Sequence, residues 1–300
     1  MPLVSVIIPV YNGQAFLHEA LESVFAQTLR DYEVICIDDG STDNSQAILA
    51  KYQKSHGIRI YKQSHQGQSA ARNLGTIKSK GEFVAFLDQD DLWYSHKLAR
   101  QCMILEKQPN VVMVFCNSDR MNAEGHTIKK GVTKEERPLA LRSPLGLLIG
   151  EGLVLPSSMM VRRLPLLEVG GFDPVLRGFE DFDLVTRLHR YGEFWFQEES
   201  AMCYRVHDKG CSRFERLRII QSRDHFLLKM ENLYKDDEYK LMLIRKMQAD
   251  CYSDRGMYEL GHGNTTQALQ YFIRSLRKYP FKLRTISRLV RCVLQDFRNG

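Results

Sequence analysis

Two aspartates two positions apart, Asp88 and Asp90, with a third at Asp91, close an apolar run at 82–87. If the chain stays extended there, successive side chains alternate, so both carboxylates point one way and Gln89 the other. Such a face suits a divalent cation. Mg²⁺ and Mn²⁺ take hard oxygen ligands, and Mg²⁺ commonly keeps one or two carboxylates beside water and phosphate oxygens. The same spacing also fits a solvated acidic turn that carries no chemistry. A second acidic group, Glu180-Asp181, opens a helix-period stretch reaching Tyr191. A carboxylate there either accepts a proton from a reacting hydroxyl or supports the first turn of a helix. Asp183, half a turn further on, is the expected helix cap.

A frame that brings these groups together must come from the surrounding elements. The first half of the chain alternates short apolar runs with helix-period stretches, the pattern of a parallel sheet covered by helices. Strands are predicted at 4–10, 32–38, 58–62, 82–87 and 111–116, with helices near 16–26, 45–55 and 69–78. Ligands of such sheets bind beyond the carboxyl ends of the strands. Polar residues collect there: Tyr11 and Asn12 after the first strand, Asp38 and Asp39 after the second, Asp88 to Asp91 after the fourth. Tyr11 and Asn12 also suit a simple chain turn, and Arg72 a helix-surface cation. Residues 117–150 are polar and broken by Gly125, Gly131, Pro138 and Pro144, which reads as loops or a mobile flap. Further on, a helix is predicted at 181–191, and short strands around 194–196 and 201–205. His207, just past them, is either a metal or phosphate ligand or a solvated loop histidine. Trp93 either walls an acceptor cleft or packs the helix starting near Ser95.

Five runs then stand in a familiar order: Val4-Ser5-Val6-Ile7-Ile8-Pro9-Val10-Tyr11-Asn12, Asp38-Asp39-Gly40-Ser41-Thr42-Asp43, Ala70-Ala71-Arg72-Asn73, Asp88-Gln89-Asp90-Asp91, and Gly171-Phe172-Asp173 with Glu180-Asp181. Together they closely resemble the family 2 glycosyltransferases, over about residues 1–210. The resemblance implies an α/β chain of the GT-A fold, a mostly parallel sheet flanked by helices, at 1–211; the helix-period pattern after Ser212 predicts an α-helical C-terminal region at 212–300. The resemblance also implies donor contacts from Pro9, Val10, Tyr11, Asn12, Asp38, Asp39, Arg72, Asp88 and Gln89. Asp88, Asp90 and His207 are the expected ligands of Mg²⁺ or Mn²⁺, and Trp93 and Glu180 the acceptor-side candidates. Asp181 is placed as the base of a single displacement with inversion. Arg205-x-His207 resembles a segment that closes over the diphosphate in some members. The implied activity is a metal-dependent, hexosyltransferase-like transfer from a nucleoside-diphosphate sugar, UDP-linked by first expectation. The implied acceptor is a saccharide or lipid-linked hydroxyl in cell-surface polysaccharide, O-antigen or glycolipid synthesis. The alternative is a non-catalytic nucleotide- or glycan-binding scaffold of the same fold.

Composition narrows the rest. At 44% hydrophobic and 26% charged residues, 300 residues make a globular chain. No GxGxxG follows the first strand, which disfavours a dinucleotide dehydrogenase. No glycine-rich basic loop stands there for a triphosphate, which disfavours a nucleotidyltransferase. The seven cysteines include no CxxC and suit reduced core thiols. With no apolar run near membrane-spanning length and no signal-like start, the expected location is the cytoplasm, with a peripheral position on the inner face of the plasma membrane as a further option. Residues 205–300 hold 20 Lys/Arg against 11 Asp/Glu, leaving 22 against 25 in the first 204. The basic tail resembles one tetratricopeptide-type hairpin followed by an amphipathic last helix. That helix either docks on its neighbour or lies on an anionic membrane. No nucleic-acid partner is expected.

Overall fold

The computed structural model of the chain describes residues 1–131, 154–208 and 216–299. The chain divides into two compact units: 1–174 with 180–210, and 175–179 with 211–300. In the first, β1 (Val4–Val10), α1 (Leu17–Phe25), β2 (Tyr32–Asp38), α2 (Ser45–His56), β3 (Arg59–Lys62), α3 (Gln68–Lys78) and β4 (Phe83–Phe86) follow one another. β1 is buried on both faces, so it reads as a continuous apolar run and not as an alternation. Its even residues, Val4 to Val10, pack with Leu17 and Leu21 of α1 and Leu49 of α2. Ile7 belongs to the opposite cluster, and Ile35 and Ile37 of β2 pack on Ala71 of α3.

The remaining elements of this unit are β5 (Leu92–Trp93), α4 (Lys97–Lys107), β6 (Val111–Met121), β7 (Thr127–Lys129), β8 (Met159–Arg162), α5 (Arg163–Glu168), α6 (Glu180–Leu188) and β9 (Glu193–Arg205). The nine strands form one sheet in the order β3-β2-β1-β4-β8-β6-β9-β5, with β7 paired to β6. It is parallel through β3, β2, β1 and β4, and antiparallel where β8 enters between β4 and β6. This is a mixed α/β sheet of GT-A type.

Two expectations are corrected here. Residues 117–121 are not loop: β6 runs on to Met121, and β7 turns back on it. Their polarity misled because Asn117, Ser118 and Asp119 are buried and hydrogen-bonded, Asp119 accepting from the Tyr94 hydroxyl at 2.8 Å and the Gly131 amide at 2.9 Å. The two short strands near 194 and 201 are one, β9, whose register against β6 shifts around Asn117 and so breaks the alternation. The rest of the predicted flap, 132–150, lies outside the described residues.

The second unit contains α7 (Arg216–Leu233), α8 (Glu238–Gly261), α9 (Thr265–Lys278) and α10 (Leu283–Asn299). Asp237 caps α8 by accepting from the Lys240 amide at 3.0 Å. Ala268, Phe272 and Cys292 form its small core with Leu289. The Phe272 ring lies so close to α8 that a Cβ at Gly256 would come within 2.6 Å of it. Within the same unit the segment 175–179 is held by the Arg177 amide on Ser222 Oγ at 3.0 Å and by Phe179 stacked on Phe226 at 5.8 Å. Among the described residues, no helix is long and apolar enough to cross a membrane.

Candidate functional site

The carboxyl ends of β1 and β2 and the N-terminus of α3 form one polar rim. Asp39, just past β2, is a loop organiser: Oδ1 accepts from Gln63 Nε2 at 2.7 Å and the Gln66 amide at 2.8 Å, while Oδ2 accepts the Gly67 amide at 2.8 Å and lies 3.0 Å from His65 Nδ1. That loop leads straight into α3. Asp38 Oδ1 accepts the Ser41 amide at 2.9 Å, and its buried Oδ2 has no partner among the described residues. The half-exposed ring of Tyr11 stacks on His65 with centroids 4.0 Å apart. Gln89 fixes Tyr11 from the other side, donating to its carbonyl at 3.0 Å and accepting its amide at 2.9 Å. Asn12 takes a left-handed φ of 49°, tolerable for asparagine, and its Oδ1 accepts the Thr42 amide at 2.8 Å. Pro9 and Val10 are the last residues of β1, with Val10 fully buried.

Arg72 of α3 is the hub between the two acidic groups. It is 1% exposed, and its Nη2 donates to Asp88 Oδ1 at 2.6 Å and to Gln68 Oε1 at 3.0 Å. Nη1 lies 3.8 Å from Glu180 Oε1, and the guanidinium stands over the Phe172 ring at 5.2 Å. Burial alone would lower its proton affinity, but Asp88, Glu180 and Asp181 more than offset that. Its Nε and Nη1 are buried with no hydrogen-bond acceptor among the described residues, a costly arrangement that an anionic ligand would relieve.

Asp181, in the first turn of α6, is pushed up to about 8, first by burial and then by Glu180, with the Phe182 amide and Arg72 pulling the other way. A carboxyl held there takes up and releases a proton near neutral pH. Asp183 is fully buried and paired with Arg187 at 2.6 Å. Arg187 in turn donates to the carbonyls of Val169 and Gly171. Asn73, next to Arg72, clasps the backbone of Phe172, accepting its amide at 2.8 Å and donating to its carbonyl at 2.7 Å. Gly171 needs to be glycine, since its φ is +69° and a Cβ would stand 2.2 Å from Asn73 Oδ1. These bonds fix the turn that precedes Glu180 and Asp181 in the chain.

On the far side of Asp88, Asp90 Oδ2 lies 2.9 Å from His207 Nε2. Burial and then Asp88 raise Asp90, against the lowering effect of His207. Asp91 is raised further by burial, Asp90 and Asp88, and its Oδ1 accepts the Arg205 amide at 3.1 Å. Among the described residues no three His, Cys, Asp or Glu converge as a cation cage. Asp88 is held by Arg72, so the groups here that could meet a cation are the Asp90 carboxylate, a hard oxygen ligand, and the His207 imidazole, a softer nitrogen one.

Two placements differ from expectation. Arg205 does not reach toward a diphosphate: it is 2% exposed, donating to the carbonyls of Asp90 at 2.9 Å and Ala123 at 2.8 Å and to Glu19 at 2.7 Å. It braces the acidic loop from behind. Trp93 does not line an open cleft, being 3% exposed with its Nε1 on the Ser157 carbonyl at 2.8 Å and Lys97 Nζ over its ring. Ser157, which no sequence pattern marked, supports the site as well, its Oγ accepting the Asp88 amide at 3.0 Å. His65 was also missed, although a ring-bearing residue between a strand end and the Ala-Ala-Arg-Asn helix was a usable signal.

Comparison with known proteins bears on the family and the fold. The family model "Glycosyl transferase family 2" matches residues 5–168, more than half of the chain. An uncharacterized glycosyltransferase of Rickettsia typhi is 34% identical over 214 residues, covering 69% of this chain and 65% of that protein. One from Nostoc sp. is also 34% identical, over 209 residues, 68% of this chain and 65% of its own. The chain thus spans a little under two thirds of the length of these relatives. Among solved structures, S. aureus TarS 1-349 in complex with UDP-GlcNAc superposes with a TM-score of 0.69 at 16% identity, over 93% of this chain and 81% of that one. That likeness shows the fold. By the extent of the family match and the order of its acidic motifs along that fold, the chain belongs to glycosyl transferase family 2.

Proposed function

We propose that the chain transfers a sugar from a nucleoside diphosphate, UDP-linked by first choice, to an acceptor hydroxyl with inversion at the anomeric carbon. The observation that carries this reading is Arg72, buried between Asp88 on one side and Glu180 and Asp181 on the other, with two nitrogens that meet no hydrogen-bond acceptor among the described residues. Arg72 binds a leaving diphosphate oxygen, and Tyr11, Asp38 and Asp39 frame the base and ribose. Asp181 in its ionised form takes the proton of the acceptor hydroxyl as that oxygen bonds to the anomeric carbon and the carbon–oxygen bond to the diphosphate breaks. Glu180 orients the acceptor. A divalent cation on Asp90 and His207, with Asp88 beside it, would supply charge neutralisation for the diphosphate. The choice of UDP draws on TarS, whose structures hold UDP-GlcNAc or UDP. Surface polysaccharide, O-antigen or glycolipid synthesis, in the cytoplasm or on the inner face of the plasma membrane, completes the reading.

The test is release of nucleoside diphosphate from a panel of nucleotide sugars in the presence of saccharide and lipid-linked acceptors, with and without chelator, beside Asp181→Asn. Release that needs both Asp181 and the cation supports the proposal. Donor binding with no turnover, identical in the variant, would turn the reading into that of a scaffold.

A further inference from the structure

The last helix carries two apolar stripes. On the inner one, Leu289 and Cys292 pack with Ala268 and Phe272 of α9, so docking onto a neighbouring helix is already satisfied. A second stripe at helical spacing, Leu283, Ile286 and Val290, faces outward with exposures of 80, 38 and 52%. Phe281, in the turn before it, is 85% exposed. Four large apolar side chains gathered at one end of a helix exceed the scattered singles of an ordinary surface.

Charge selects the occupant. Residues 274–298 contain eight Lys/Arg and one acid, Asp296. Two acids of α8 are paired with basic residues here, Asp254 with Arg288 at 3.2 Å and Asp250 with Lys282. Arg284 and Arg291, 100° or less around the helix from Leu283 by the α-helical turn, are exposed beside the apolar stripe. A second copy of the chain would bring the same positive charge to this surface, and repulsion would oppose pairing. An apolar row bordered along one side by arginines fits an anionic lipid surface: the row enters the boundary between headgroups and acyl chains while the guanidinium groups meet lipid phosphates. We infer that α10 and the turn before it dock the protein on an anionic bilayer. This assigns a surface to the peripheral location above, and it stands or falls independently of the donor chemistry.

The test is co-sedimentation of the full chain with vesicles of phosphatidylcholine alone and of phosphatidylcholine with about 30% phosphatidylglycerol, at low and high salt. Two paired variants accompany it, Phe281→Ser with Leu283→Ser, and Arg284→Glu with Arg291→Glu, each checked by thermal melting. The expected result is partition onto the anionic vesicles only, weakened by salt and at least about tenfold by either pair. Phe281→Trp should show a blue-shifted emission on those vesicles. Failure of the parent chain to bind, equal binding to both vesicle types, or variants that melt and bind like the parent would overturn the inference. So would self-association in solution that the Phe281/Leu283 pair abolishes.

Discussion

Asp181 carries the sharpest consequences of a single side chain. Because burial and Glu180 hold its proton up to about pH 8, only a minority of molecules carry the ionised carboxylate, the form proposed as the base, at neutrality. The transfer rate should rise with pH from 6 to about 8, and Glu180→Gln, which removes a charge that raises Asp181, should move that limb to lower pH; pH–rate profiles of both proteins check this. Stability should run the opposite way. The unfolded chain releases this proton near the ordinary carboxylate range while the folded chain keeps it, so the folded state loses ground as pH climbs toward 8. Asp181→Asn should therefore melt with the parent near pH 4 and above it at pH 7–8, by about 1–4 kcal/mol, while transfer falls by about a thousandfold. His207→Ala should abolish the thermal stabilisation by Mn²⁺ with UDP, if His207 and Asp90 are the cation donors proposed; an unchanged shift on melting would remove His207 from that role. At this scale the acidic motifs were legible from their residue types and order, but the shared face expected of Asp88 and Asp90 was not found. Residues 88–91 turn, with the Asp91 amide on the Asp88 carbonyl at 3.1 Å, so Asp88 meets Arg72 and Asp90 meets His207. The direction of Arg205 and the burial of Trp93 were not legible, since those depend on β9 and the segment around Ser157, distant in the chain.

Between the residues and the fold stand the elements that aim them. The α3 helix presents Arg72 to the acidic groups and, one residue on, Asn73 to the backbone of Phe172. Asn73→Ala removes two hydrogen bonds from a crowded turn and should cost about 1–3 kcal/mol in denaturant unfolding. If the turn aims α6, the same change should lower kcat well beyond any rise in donor KM. Gly171→Ala should be at least as damaging to stability, from its left-handed φ and the contact with Asn73. The parallel strands and their helices were readable because both faces of β1 and β2 are buried and the intervening helices keep the 3.6 period. β8, the tail of β6 and the continuity of β9 were hidden for a different reason. Their hydrogen-bond partners are far apart in sequence, and paired polar residues such as Asn117 and Asp119 look like loop until the partner strand is known.

On the scale of the whole molecule, the chain crosses between its two compact units three times, after 174, after 179 and after 210. Residues 175–179 pair with Ser222 and Phe226 of α7, and the next two residues are Glu180 and Asp181. Ending the protein at 210 would remove no proposed catalytic residue, yet it would take away Ser222 and Phe226, which hold that short segment. Such a truncation should still bind UDP but lose most of its transfer rate, which calorimetric titration and a turnover assay would separate. Recombination with related enzymes meets the same constraint. A helical region exchanged at a single junction would meet a foreign 175–179, so a functional hybrid must carry that five-residue piece together with the helices it matches.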